Sequence, residues 1–258
     1  MKIIVLMKQV ANKDAILRIN KDATWIEEGD LSYEVNESDG YALEEALRIK
    51  EKVGGGEVVV CSMGPQRVKS VIKDALARGA DRAIHVVGDN LQHLSPFAAA
   101  SILADAIREE QADLVLTGLQ SDDYGYAQTG VIMAELLGLP HATIVIEVDA
   151  SGAELRVKRE LESGWYQWYA MPRPALLTIQ SGISQIRYAT LKGIMAAKKK
   201  EIREVTPAGG AATRPSHQRI EKLYFPQKTK QTQFLGNGDA KKGAVELAEK
   251  LRTEARVI

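Results

Sequence analysis

Three stretches of this 258-residue chain combine side chains whose types and spacing could do chemistry. The first is Gln120-Ser121-Asp122-Asp123-Tyr124-Gly125-Tyr126-Ala127-Gln128-Thr129-Gly130. It lies between an apolar run ending at Thr117 and a helical pattern carrying Ile132, Met133, Leu136 and Leu137. Free backbone N–H groups at a helix start, the Thr129 hydroxyl and the close approach that Gly130 permits would make an anion site without lysine or arginine. A capped turn is the alternative. The second stretch, Asn36-Glu37-Ser38-Asp39, also opens a helix, and Ser38 or Asp39 either caps that helix or faces a ligand. The third, Arg187 to Lys200, sets Leu191 between Thr190 and Lys192 and ends in a lysine run. Either Leu191, Ile194 and Met195 face the chain's own core at i, i+3 and i+4, or Leu191 is an anchor that enters a partner's pocket.

Other chemistry is argued against. There is no G-x-G-x-x-G fingerprint and no G-x-x-x-x-G-K-[ST] loop, so a dinucleotide dehydrogenase or a P-loop enzyme is not expected. His85, His93, His141 and His217 lie far apart, with no metal-ligand spacing, and read as surface or strand-end histidines. Glu160 and Glu162, at i and i+2 on an expected strand, would share a solvated face. Lysine plus arginine and aspartate plus glutamate both number 34, leaving no basic excess for a nucleic-acid backbone. The single cysteine, Cys61, follows Val58-Val59-Val60 and reads as a buried, inert thiol. No run approaches a membrane span, and the first residues give a strand pattern rather than a signal peptide. The expectation is a cytoplasmic chain with no membrane insertion.

The elements that must position these residues follow from the apolar pattern. Ile3 to Met7, Val58 to Ser62, Ala83 to Val87 and Leu114 to Thr117 are β-branched runs of the kind buried on both faces of a parallel sheet. Helical patterns alternate with them, through Ala42, Leu43, Leu47 and Ile49, then Val68 to Leu76, then Ala99 to Ile107. This predicts an α/β fold with a doubly wound, mostly parallel sheet. Gly79 is placed as a helix C-cap. Ile16 to Ile19 and Thr24 to Ile26 are expected to pair as a hairpin. Ala142 to Val148, Glu154 to Leu161, Trp165 to Ala170 and Ala175 to Ile179 are expected as an antiparallel addition to the sheet edge. Lys198 to Lys200 reads as a solvated helix end. Pro207 to Pro215 reads as a linker to a helix over about 239–253. A lone helix cannot bury its own face.

Several separated motifs, in order, resemble the small (beta) subunit of electron transfer flavoproteins. They are Lys2 to Lys8, Asn36 to Lys52, Ser62 to Asp81, Gln120 to Gly130, Arg159 to Gly164, Pro174-Ala175, and Ile183 to Arg187 followed by Tyr188-Ala189-Thr190-Leu191 and Lys198-Lys199-Lys200. The resemblance covers most of residues 1–205. It implies a nucleotide-binding α/β domain over 1–205, with a recognition loop at 184–200, and a linker and C-terminal arm over 206–258 that packs on a larger alpha subunit. It also implies a heterodimer in which the partner holds most of one FAD, with an acyl-CoA or amine dehydrogenase as electron donor. The Gln-Ser-Asp-Asp-x-x-Tyr-Ala form looks most like the amine-dehydrogenase branch. The chain would be an electron carrier subunit with no catalytic residues of its own.

By position, the resemblance makes Leu6, Lys8, Asn36, Glu37, Ser38, Asp39, Met63, Asp123, Tyr124, Gly125, Tyr126, Ala127, Gln128, Thr129, Gly130, Val131 and Ala134 the candidate AMP contacts. Tyr188, Leu191, Ile194, Met195 and Glu160 become the candidate partner contacts, Glu160 pairing with an arginine of the FAD domain. Bifurcating members carry a second FAD in the same place, oxidise NADH, and show Asp-Gly-Asp-Thr-Ala-Gln-Val-Gly where this chain has Tyr124, Gly125 and Tyr126. AMP is therefore the expected nucleotide. The competing expectations are a bifurcating subunit and a stand-alone nucleotide-binding regulator.

Overall fold

Ile3 and Ile4 are both fully buried, on opposite faces of the same strand, which requires helices on both sides of the sheet. The computed structural model describes residues 1–88, 91, 94–207, 216–227 and 232–258. Within them the chain forms two compact units, Met1–Glu221 and Lys222–Ile258.

The first unit is built on a mostly parallel sheet. Its strands are β1 (Lys2–Leu6), β4 (Glu57–Gly64), β5 (Arg82–Val87), β6 (Leu114–Gly118), β7 (His141–Asp149), β8 (Leu155–Glu160), β9 (Tyr166–Met171), β10 (Ala175–Ile179) and β11 (Ile202–Val205). A separate antiparallel pair, β2 (Gln9–Ala11) and β3 (Tyr33–Val35), lies in the connection after β1. The main sheet runs in the order β11-β5-β4-β1-β6-β10-β7-β8-β9. Helices α1 (Glu37–Lys52) and α2 (Lys69–Arg78) cover the face of Ile3 and Val5, with Leu43, Leu47, Ile72 and Leu76 facing inward. Helices α3 (Pro96–Ile107) and α4 (Thr129–Leu137) cover the face of Ile4 and Leu6, with Ile102, Leu103 and Met133 inward. Each such side chain contributes about 1.5–3 kcal/mol of burial. Gly79 ends α2 at φ 138°, as its place after the last apolar turn predicts.

The chain leaves β1 toward β4 and β5, then returns to lay β6 against the other edge of β1. That reversal puts a topological switch point at the carboxyl ends of β1 and β6, where open α/β sheets bind ligands.

Three local expectations need correction, and one strand was not expected. Ala175 to Ile179 is not part of an antiparallel edge. It is β10, inserted between β6 and β7 and parallel to both. All five of its residues are buried, whereas β8 alternates at its start, so only β10 needs cover on both faces. The antiparallel addition is β8 and β9 on β7. The expected hairpin reduces to a single bridge, Ile19 to Ile26. There the Asn20 side chain accepts N–H bonds from Thr24 and Trp25 and closes a tight turn. Glu162 leaves the strand for a 3-10 turn, Glu162–Gly164, so it does not share a strand face with Glu160. Finally, β11 pairs parallel to β5, an element the sequence pattern did not announce.

The second unit carries α6 (Ala240–Lys250), capped by the Asp239 carboxylate, which accepts N–H bonds from Lys241 and Lys242. None of its residues is buried, and Val245 and Leu247 stay exposed. The expected linker lies outside the described residues from position 208 to 215.

Candidate nucleotide cleft and docking helix

A cleft opens at the switch point. Its floor is the carboxyl ends of β1, β4 and β6, at Leu6, Cys61, Met63, Thr117 and Gly118. One wall is apolar, from Leu91, Leu94, Pro96, Ala99 and Leu103 around α3. The other is the loop before α4, with Tyr124, Tyr126, Ala127, Gln128, Thr129 and Gly130. Lys8 and Arg67 supply positive charge at its border. An apolar slot beside a helix start, whose first N–H groups have no intrahelical acceptor, suits a flat base joined to an anion. Gly130 brings the start of α4 close to the sheet, because a Cβ there would meet Thr117 Oγ1 at 2.7 Å and Thr178 Cγ2 at 2.9 Å.

Asn36 to Asp39 splice this loop to the sheet. The buried Asp39 carboxylate accepts the Lys8 N–H at 2.7 Å and the Gly118 N–H at 2.9 Å, tying the ends of β1 and β6 together. Burial pushes its pKa up to about 7, against the pull of those N–H donors and of Lys8. Asn36 Nδ2 donates to Gln120 O, its Oδ1 accepts the Asp122 N–H, and Ser38 Oγ donates to Gln120 O. Neither Ser38 nor Asp39 caps α1, whose N-cap is Asn36 with no side-chain capping bond to the helix. Their side chains hold the neighbouring loop instead.

Of the candidate contacts, Leu6, Lys8, Asn36, Asp39, Met63, Tyr124, Tyr126, Ala127, Gln128, Thr129 and Gly130 line the cleft, and Glu37, Ser38, Asp123, Gly125, Val131 and Ala134 do not. Asp123 holds the Lys8 ammonium at 2.7 Å, and Ala134 is buried in the core beneath. Sequence reasoning missed the α3 wall, although the loop after β5 is one more strand end at the same sheet edge.

The described histidines form no cluster. Among the described residues no group of three or more His, Cys, Asp or Glu could hold a metal ion. His85 is neither at the surface nor at a strand end. It is buried within β5, with Nε2 3.1 Å from the Gly64 carbonyl, and burial lowers its pKa. His141 is exposed at the start of β7, His217 meets Phe97 edge-on, and His93 lies outside the described residues. The Cys61 thiol is buried and pushed up to about 12, which leaves it inert.

The segment from Arg187 to Lys200 is pinned at both ends. Arg187 forks onto Glu44 (2.9 and 3.0 Å) and Glu51 (2.6 and 3.2 Å) of α1. Lys200 donates to the Leu76 and Ala80 carbonyls at the end of α2, so it is a cap on that helix rather than a solvated charge. Between them lies α5 (Leu191–Ala197), capped by Thr190 Oγ1. Gly193 lets its backbone lie against the Ala77 carbonyl, where no Cβ would fit. Only Ala197 turns inward. Tyr188 and Leu191 are 91% and 79% exposed, and Ile194 and Met195 remain exposed beside them. Leu191, Ile194 and Met195 therefore do not face the chain's own core.

Arg187→Ala is expected to cost about 2 kcal/mol, because it strands the nearly buried Glu44 carboxylate. The melting temperature should fall by about 4–8 °C. Arg187→Lys should restore little of it, since an ammonium cannot fork onto two carboxylates. Thermal unfolding followed by circular dichroism checks both.

A family model for the electron transfer flavoprotein domain matches residues 24–209. Curated relatives named electron transfer flavoprotein subunit beta include one from Methylophilus methylotrophus, 38% identical over 245 residues, covering 92% of this chain and 93% of that protein. Another, from Bradyrhizobium diazoefficiens, is 35% identical over 258 residues and spans both chains fully. The human one is 35% identical over 209 residues, covering 80% of this chain and 82% of that protein.

Proposed function

Because the chain belongs to the electron transfer flavoprotein family, on the beta-subunit side, we propose that it is the small subunit of a heterodimeric electron shuttle that holds a structural AMP. The observation that carries the AMP assignment is the cleft at the β1/β6 switch point, with its apolar α3 wall and the start of α4. The base would lie against Leu91, Leu94 and Leu103. The phosphate would meet the Thr129 and Gly130 N–H groups, with Lys8 nearby.

The flavin, held mainly by the alpha subunit, supplies the electron chemistry when bound. This chain's residues position and dock. Leu191, with Tyr188, Ile194 and Met195, presents an apolar anchor to an acyl-CoA or amine dehydrogenase from a mount fixed by Arg187 and Lys200. Glu160 stands at the end of β8, 3.4 Å from Gln180 Nε2, where it would pair with an arginine of the FAD domain. A partly exposed pair contributes only about 0–1 kcal/mol, which suits a domain that must move. The exposed side of α6, in the 206–258 arm, would be covered by the alpha subunit. No helix among the described residues is long and apolar enough to cross a membrane.

A nucleotide count tests this. The chain is purified with its partner subunit, the complex is denatured, and the released nucleotides are identified by chromatography and mass. One FAD and one AMP per heterodimer are expected. Two FAD and no AMP would replace this reading with that of a bifurcating subunit. A stable, monodisperse protein when expressed alone would favour a stand-alone regulator.

A further inference from the structure

Tyr124 and Tyr126 line two hollows at once. On one side is the nucleotide cleft; on the other is a wider, more polar hollow bordered by Asn20, Glu28, Ser95 and Arg219. The two rings are stacked, 5.4 Å apart and 20° from parallel. Gly125 between them has φ 63°, a left-handed turn that lets residues two apart share one side. Trp25 extends the stack, 5.3 Å from Tyr124. Its indole N–H donates to Glu28 at 2.7 Å, and Glu28 pairs with Arg67 at 3.1 Å. The Lys8 ammonium lies 4.5 Å from the Tyr124 ring centre on the cleft side.

Resting on the AMP reading above, we propose that Tyr124 and Tyr126 are a partition that sets the length of the bound nucleotide. They stop the cleft at a mononucleotide, and the hollow behind them is the space a dinucleotide would need. The stack is buttressed through Trp25, Glu28 and Arg67, so it is a wall rather than a pair of loose rings. Its position explains selection by length: among the described residues the two hollows share the tyrosines and Leu94, and a pyrophosphate leaving the α4 start toward the polar hollow would run into the stacked rings.

The test titrates AMP and FAD against the nucleotide-stripped heterodimer, as wild type and as Tyr124→Ala/Tyr126→Ala, counting FAD beyond the partner's own. The ratio of FAD to AMP affinity at this site should rise at least about tenfold in the variant. An unchanged ratio in a folded variant overturns the partition while leaving the AMP reading intact. A wild-type complex that already prefers FAD overturns both. Should the double variant fail to assemble, Tyr126→Ala alone, at the more solvent-exposed ring, is titrated in its place, and no gain in the ratio overturns the proposal.

Discussion

Leu191→Ala is expected to slow reduction of the assembled complex by its dehydrogenase about 30- to 1000-fold while leaving flavin content and melting temperature unchanged. The size follows from the kind of contact. A large apolar side chain that is 79% exposed in the free chain and enters a partner's pocket typically carries about 2–4 kcal/mol of binding energy, and each 1.4 kcal/mol is tenfold. The absence of a stability cost follows from the same exposure, since surface truncations stay within about 0.5 kcal/mol. Tyr188→Ala should do less, because it lies before the Thr190 cap on a segment that α5 does not order. Stopped-flow reduction with a saturable donor separates the outcomes. A weakened dependence on donor concentration with an unchanged limiting rate marks lost docking. Normal kinetics at all concentrations would remove the docking role from Leu191.

The proposed anchor role of Leu191 needs a rigid mount. An apolar side chain on a loose loop would lose binding energy to ordering. Here Arg187 fixes the approach to α5 on α1, and Lys200 fixes its exit on α2. Helix α1 also begins at the cleft, so its first turn holds the loop before α4, while Glu44 at its middle and Glu51 in its last turn hold the segment that leads to α5.

The parts of this arrangement that were legible in the sequence are those governed by local pattern. The runs at Ile3, Val58 and Leu114 show burial on both faces, and the Thr129-Gly130 start of α4 is visible as a glycine-bearing helix opening. What escaped is set by long-range pairing. Nothing local in Ala175 to Ile179 says that it inserts between β6 and β7, although a run that is apolar apart from Thr178 was the available hint. Asp39 looks like a helix cap from its neighbours, and its real partners lie 31 and 79 residues away in the chain. Lys200 ends a basic run that reads as solvated, yet it closes a helix more than a hundred residues earlier. His85 has a β-strand environment that leaves no periodic mark distinguishing a buried imidazole from an edge one.

Gly118→Ala is expected to be the most destabilising single-methyl change in the cleft, costing about 3–5 kcal/mol and emptying the nucleotide site. Gly118 ends β6, and a Cβ there would lie under 3.0 Å from Ser38 Oγ, Asp39 Oδ1 and the Asp39 N. None of the three can yield without loss. Ser38 Oγ is engaged by Gln120 O at 2.8 Å, the Asp39 carboxylate holds one buried and one part-buried N–H group, and the Asp39 N belongs to the first turn of α1. Rotating Asp39 away leaves the Lys8 and Gly118 N–H groups unpaired, at about 1–3 kcal/mol each. Moving α1 instead opens the core around Leu43 and Leu47 and tilts the segment that holds Arg187. The melting temperature should drop by about 6–20 °C. Gly125→Ala, a change in open space at a left-handed φ, should cost only about 1 kcal/mol. A double-mutant cycle locates the cause. Asp39→Ala by itself strands the same two N–H groups, but in a Gly118→Ala background it also removes the clashing carboxylate, so the combined loss should fall short of the sum by at least about 1 kcal/mol. Additive losses would mean that the strain sits at the Asp39 backbone and Ser38, and that Asp39 is not what the glycine makes room for.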